Sequence, residues 1–212
     1  MLICAELTAL TGEAGAFEAV VRRHSTAVDA RLCTGCGDCA DACPVVAPNA
    51  FDLGLGARRA IFRPFPQAVP SAFAIDPELC LNDGALISCE RCRRACPRDA
   101  IDLGRGPEER RLQVGAVIVA TGFEEFDPTP LRNYGYGFYP NVLTSLELER
   151  LLNASGPTRG HVLRPSDRRP PRRLVYVQCV GSRGEARRAS GPRLCCVNAA
   201  EDALLLKQHD RE

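Results

Sequence analysis

The chain has 212 residues, 27 basic and 26 acidic, with a formal net charge of +1 and 45% hydrophobic residues. That balance argues against a nucleic-acid binder, since no basic run is interleaved with aromatics, and no apolar stretch approaches the roughly eighteen residues that cross a bilayer, which predicts no direct membrane insertion. Twelve cysteines with no secretory leader after Met1 predict a cytoplasmic protein whose thiols stay reduced.

In chain order, residues 1–29 predict a strand pair, with residues 17–24 as one strand after a turn between Gly12 and Gly15. Cys4 lies outside every motif and is expected to be a small buried hydrophobe. His24, His161 and His209 have no ligand-spaced neighbours in sequence and are assigned no chemistry.

Residues 33–44 then read Cys-Thr-Gly-Cys-Gly-Asp-Cys-Ala-Asp-Ala-Cys-Pro. Three cysteines at this spacing curl the backbone around a cubane iron-sulfur cluster, and the proline closes the run. Cys80 and the run Cys89-Glu-Arg-Cys92-Arg-Arg-Ala-Cys96-Pro97 repeat the same ending about fifty residues later, so two clusters are expected. In two-cluster ferredoxins the fourth cysteine of each run serves the other cluster. The expected sets are therefore Cys33, Cys36, Cys39 and Cys96 for one cubane, and Cys80, Cys89, Cys92 and Cys43 for the other. A zinc ribbon would be satisfied by two cysteine pairs without the Cys-x-x-x-Cys-Pro arm, and disulfides suit small secreted chains. The ferredoxin-like unit is expected over residues 30–106. Its two halves are separated by an insertion at 45–77, in which residues 63–70, Arg-Pro-Phe-Pro-Gln-Ala-Val-Pro, predict a non-helical surface path.

Residues 114–120 form an apolar run between glycines and predict a strand buried on both faces of an α/β layer. It ends in Ala120-Thr121-Gly122, at the kind of strand end where nucleotide cofactors sit. A helix is expected from Thr144 or Ser145 to Asn153, followed by an exposed Pro- and Arg-rich linker at 156–173 whose arginines read as solvated surface. Residues 174–179 predict another strand, and a helix is expected at 197–209. Cys179 at the strand end and the pair Cys195-Cys196 just before the helix occupy a strand end and a helix start, positions that suit thiolate. Their spacing leaves a metal site and inert thiols equally open.

Several of these stretches resemble the A-type subunit of heterodisulfide reductase, the flavin and iron-sulfur protein of methanogens and many anaerobic bacteria. The likeness rests on Cys-Thr-Gly-Cys-Gly-Asp-Cys at 33–39, residues 63–70, Cys80-Leu-Asn, Val-Gly-Ala-Val-Ile-Val-Ala-Thr-Gly-Phe at 114–123, Tyr-Gly-Tyr-Gly at 134–137, Tyr-Pro-Asn-Val-Leu-Thr-Ser-Leu-Glu at 139–147 and Gln-Cys-Val-Gly-Ser-Arg at 178–183. A quinone-interacting oxidoreductase of sulfate reducers shares part of the pattern.

The resemblance implies an α/β flavoprotein of the thioredoxin-reductase-like type, with an α+β two-cluster ferredoxin-like module inserted in it. On that reading, residues 1–29 are a piece of the flavin domain, 107–173 its continuation with a linker, and 174–212 the start of a second Rossmann-like half. Ala120, Thr121 and Gly122 would lie beside FAD, and the clusters would carry electrons toward B- and C-type subunits that reduce a heterodisulfide such as that of coenzyme M and coenzyme B. Ferredoxin and hydrogenase or formate dehydrogenase electron-input subunits are the further partners implied. A stand-alone dicluster ferredoxin-like carrier, or a subunit of the quinone-interacting oxidoreductase of sulfate reducers, is the alternative. Two departures accompany the likeness. The Gly-x-Gly-x-x-Gly turn that grips FAD in the family is missing, which implies a piece truncated at both ends. Gly191 stands where the family has a cysteine, so Cys179, Cys195 and Cys196 would form an incomplete third cluster.

Overall fold

The computed structural model describes residues 2–82, 87–181 and 194–209. The chain divides into two compact units, residues 1–47 with 58–122, and residues 48–57 with 123–212. The predicted insertion at 45–77 is thus shared between them.

The first unit contains a three-stranded antiparallel sheet in the order β1 (Ala5–Glu13), β2 (Ala16–Arg23), β7 (Glu108–Val114). The predicted strand pair is present, closed by a tight turn in which Gly12 and Gly15 take positive φ. A Cβ on Gly12 would collide with the Ala16 carbonyl, so the turn requires glycine there. A bulge between Leu7 and Ala9 interrupts the register, and the Thr8 hydroxyl donates across it to the Val20 carbonyl at 3.0 Å. β7 joins the other edge of β2, with Phe17 opposite Val114 and Arg23 opposite Glu108. Opposite charges reinforce this pairing, Arg23 facing Glu108 and Arg22 facing Glu109, while Gln113 donates to Glu18 at 2.9 Å.

Everything between β2 and β7 in the first unit belongs to the cysteine region. Its two ends meet: Val28 bridges Ile101, the Asp29 amide donates to the Ala100 carbonyl at 2.8 Å and the Asp102 amide to the Ala27 carbonyl at 2.9 Å. A second short pair, β5 (Ile61–Phe62) with β6 (Ala74–Ile75), is tied to this one by the Ile75 amide donating to the Thr26 carbonyl. Two one-turn helices, α1 (Asp38–Asp41) and α2 (Arg91–Ala95), each bury a cysteine, Cys39 and Cys92. The core between these pieces is Val28, Ala60, Ile61, Ile75, Ala100 and Ile101 together with Cys39, Cys43 and Cys92. Ile61 is 1% exposed, worth about 2–3 kcal/mol of burial. The short pair β3 (Val46–Pro48) and β4 (Ala57–Arg59) marks where the chain leaves the first unit and returns to it.

In the second unit, α3 (Ser145–Leu152) starts with a capping box. Thr144 accepts from the Glu147 amide, and the Glu147 carboxylate accepts from the Thr144 amide at 2.7 Å and from the Tyr136 hydroxyl at 3.2 Å. Leu148 and Leu151 face inward from α3. Arg150 reaches the buried Asp52, its Nε at 3.0 Å and Nη2 at 2.8 Å from Oδ1. The last helix is α4 (Leu194–His209).

Several expectations are corrected. Residues 115–122 do not form a strand and are exposed, with Ile118 90% exposed. Residues 174–179 likewise form no strand, and the segment ends in a bend at Cys179. A strand of an α/β layer is held by hydrogen bonds to neighbours on both edges; among the described residues neither segment belongs to a sheet, although the Gly115 carbonyl at the start of the first accepts from the Gly15 amide at 2.9 Å. The linker at 156–173 is exposed only in its later part, because Gly156, Thr158 and Gly160 are buried. Gly156 lies directly against the Arg150 carbonyl, where a Cβ has no room, and the Thr158 hydroxyl donates to the Leu151 carbonyl at 3.2 Å. The chain therefore doubles back onto the end of α3. Cys4 is exposed, at φ +50°, and its carbonyl accepts from the His24 amide at 2.7 Å. His24 has a carboxylate neighbour after all, Glu6 at 3.4 Å, brought near by the strand register. Cys195 and Cys196 lie within the first turn of α4, not ahead of it.

Candidate iron-sulfur sites

The cysteine turns are shaped by their glycines. Gly35 and Gly37 adopt φ of +73° and +103° between the first three cysteines, conformations that side chains disfavour. Gly35 also needs its small size, because a Cβ there would come within 3.1 Å of both Arg63 Nη1 and the Ser71 carbonyl. Arg63 donates to Ser71 Oγ at 2.8 Å and stacks its guanidinium toward the Phe73 ring. Thus the proline-rich segment does not simply cover the surface: its first residue braces the turn that carries Cys33 and Cys36.

Two cavities result. The first, partly open to solvent, is lined by Cys33, Cys36, Cys39 and Cys96, with Thr34, Phe73, Arg98 and the apolar Val28, Ala100 and Ile101. The second, also partly open, is lined by Cys43, Cys80, Cys89 and Cys92, with Leu81, Arg91, Val45 and the apolar Ala60, Ile61 and Ile75. Each cavity combines three cysteines from one run with the fourth from the other. The exchange follows from the fold: α1 and α2 pack together, and the Cys-Pro step after each helix carries the chain toward the partner helix's cavity.

The electrostatics fit a cationic inorganic core. Burial pushes the Cys39 thiol up to about 12, with the neighbouring Cys33, Cys36 and Cys92 adding to the rise. Cys92 is pushed up for the same reason, burial first, then Cys80, Cys43 and Cys89. Thiols crowded in this way cannot ionise together without positive charge among them, which iron would supply. Backbone donors are in place: the Ala100 amide donates to Cys96 Sγ at 3.4 Å, the kind of contact that tunes a thiolate ligand. Four sulfur donors ring each cavity, whereas a single zinc ion would gather its sulfurs to about 3.8 Å of one another. Among the described residues no three His, Cys, Asp or Glu side chains converge closely enough to hold one ion.

The remaining predicted residues are not gathered in this way. Ala120, Thr121 and Gly122 are exposed, Gly122 at φ +76°. Cys179 is half-buried at φ +61°, while Cys195 and Cys196 are exposed on α4. Gly191, on which the incomplete third cluster turns, lies outside the described residues. The sequence reading missed Thr34, Phe73, Arg91 and Arg98 as cavity residues. A charged residue inside or just after a Cys-x-x-Cys run was the available signal for the two arginines.

The family of the 4Fe-4S binding domain matches residues 26–49. The chain is 47% identical over 99% of its length to the A-type iron-sulfur subunit of the CoB–CoM heterodisulfide reductase of Methanocaldococcus jannaschii, and 49% identical over 99% to the first of the corresponding A-type subunits of Methanopyrus kandleri. It is 46% identical over 99% to the A-type subunit of the H2/formate:CoB–CoM heterodisulfide, ferredoxin reductase of Methanococcus maripaludis. It spans 31% of the length of each of these curated relatives. Among the described residues no helix is long and apolar enough to cross a membrane. The chain carries a ferredoxin-type 4Fe-4S domain in a mixed α and β fold, and along nearly its whole length it is homologous to about a third of the A-type subunits of heterodisulfide reductases.

Proposed function

We propose that the chain is the iron-sulfur electron-transfer part of the A-type subunit of a flavin-dependent heterodisulfide reductase. Cys33, Cys36, Cys39 and Cys96 hold one 4Fe-4S cluster, and Cys80, Cys89, Cys92 and Cys43 hold the other. The observation that carries this reading is the pair of four-cysteine cavities, each completed by a cysteine from the opposite run. A bound cubane supplies a one-electron redox step. The residues around each site supply the rest: Val28 and Ile101 line the first cavity and Ile61 and Ile75 the second, where they would exclude water, and the Ala100 amide donates to the Cys96 sulfur.

The pairing of β2 with β7 supports the cysteine region being an insert, because the chain departs and returns on neighbouring strands of one sheet. In this reading residues 1–29 and 107–173 belong to the host flavin domain and its linker, Ala120, Thr121 and Gly122 approach FAD, and residues 174–212 open a second Rossmann-like half. Cys179, Cys195 and Cys196 form at most an incomplete third cluster. Heterodisulfide reduction takes place on partner subunits in the cytoplasm, and ferredoxin or the subunits of a hydrogenase or formate dehydrogenase feed electrons in. The names of the relatives, which include CoB–CoM heterodisulfide, ferredoxin and H2/formate, support this placement.

A second reading, a dicluster carrier without flavin, is favoured by the way the cysteine core closes on itself through Val28 and Ile101. Flavin retention after anaerobic reconstitution decides between the two. One FAD held per polypeptide supports the reductase, and clusters without FAD in a chain extended to the full length of its relatives support the carrier.

A further inference from the structure

The two cysteine runs align on their Cys-Pro endings, Cys39 with Cys92 and Cys43 with Cys96. The alignment exposes an asymmetry in charge. Two residues after Cys43 stands Val45, which lines the second cavity, whereas two residues after Cys96 stands Arg98, which lines the first. One residue before Cys92 stands Arg91, which lines the second cavity, whereas the residue before Cys39 is Asp38. Each cavity thus has one arginine, contributed from a different position of the repeat.

The neighbouring arginines are in ion pairs, two to each carboxylate, and among the described residues these two are not. Arg93 and Arg94 pair with Glu90, and Arg31 and Arg105 with Asp29. Arg91 and Arg98 have no ion-pair partner among the described residues. A guanidinium at the edge of a cavity ringed by four thiolates acts on the charge inside that cavity. Each added electron makes the site one unit more negative, and a fixed cation nearby favours the reduced form.

We propose that Arg98 and Arg91 are potential-setting residues, Arg98 raising the reduction potential of the cluster in the first cavity and Arg91 that in the second. The inference rests on the two-cluster reading above. Because both side chains are exposed, solvent weakens the effect, and the expected size is about tenfold in the reduction equilibrium, about 59 mV for a one-electron couple.

The test is a dithionite redox titration of the anaerobically reconstituted full chain, followed by low-temperature EPR, for the parent, Arg98→Gln, Arg91→Gln and Arg98→Lys. The expected result is that Arg98→Gln lowers the potential of one cluster, Arg91→Gln lowers that of the other, and Arg98→Lys restores most of the parent value. Iron and sulfide content equal to the parent with both potentials unchanged overturns the inference and leaves the two-cluster reading standing. A parent chain that takes up no iron or sulfide overturns the reading and the inference with it.

Discussion

The Cys96 sulfur, which accepts from the Ala100 amide at 3.4 Å, lines the cavity of Cys33, Cys36 and Cys39, not that of Cys89 and Cys92, its nearest neighbours in sequence. The crossing makes a prediction by paired substitution. Cys96→Ser is expected to remove about four of about eight iron atoms, and Cys43→Ser the other four. Cys96→Ser with Cys33→Ser should lose no more than either alone, while Cys96→Ser with Cys43→Ser should lose both clusters. Iron and acid-labile sulfide analysis checks this, and additive loss for the Cys96 and Cys33 pair would contradict the crossing.

Gly35 is the more confined of the two glycines in the first cysteine turn. Gly35→Ala combines a positive φ with contacts at 3.1 Å to Arg63 and Ser71. The expected cost is about 1–2 kcal/mol, and it should appear as faster loss of the first cluster on exposure to chelator, with the second cluster unaffected. Chelator-induced bleaching followed by EPR of the residual cluster measures it.

Arg58 and Asp76 brace the second half of the cysteine core, with Nη2 2.6 Å from Oδ2 and both side chains mostly buried. The hydrogen bond from Arg58 holds the Asp76 carboxyl below its usual value, outweighing burial, which pushes it up. A depressed carboxylate contributes stability that is complete above its unfolded pKa and is lost as pH falls through the folded one. The advantage of the parent over Asp76→Asn in urea unfolding is therefore expected to be constant near neutrality and to shrink only below about pH 4. An advantage that disappears between pH 8 and 6 would contradict the assignment.

Asp52 and Arg150 form the corresponding brace in the second unit, with side chains 9% and 16% exposed. Arg150 also lies over the Phe51 ring at 4.7 Å. Removing one partner leaves the other charge buried, so Asp52→Ala is expected to cost about 3 kcal/mol, while Asp52→Asn with Arg150→Met should recover much of that loss. Urea unfolding followed by circular dichroism checks both.

What could be read from the residues alone divides along physical lines. The cysteine runs were legible because ligand spacing is local, and the strand pair because its glycine turn is local; α3 was legible from its capping residues. The pairing of β2 with β7 spans about ninety residues and leaves no mark on either segment. Residues 115–122 and 174–179 have the composition of buried strands, yet that composition is realised only with neighbouring strands, which the described residues do not provide. The packing of Gly156 and Thr158 onto α3 was hidden because a Pro- and Arg-rich stretch reads as linker, and the two small residues that fit against a helix end carry little signal. The exchange of Val45 for Arg98 became meaningful only when both were found lining cavities.

Low-temperature EPR of the dithionite-reduced, anaerobically reconstituted chain tests the central claim most directly. Two cubanes held by crossed cysteines of one compact core should give a broadened spectrum of two interacting S = 1/2 centres, integrating to about two spins per chain at about eight iron. A sharp spectrum of one isolated cluster at about four iron would contradict it.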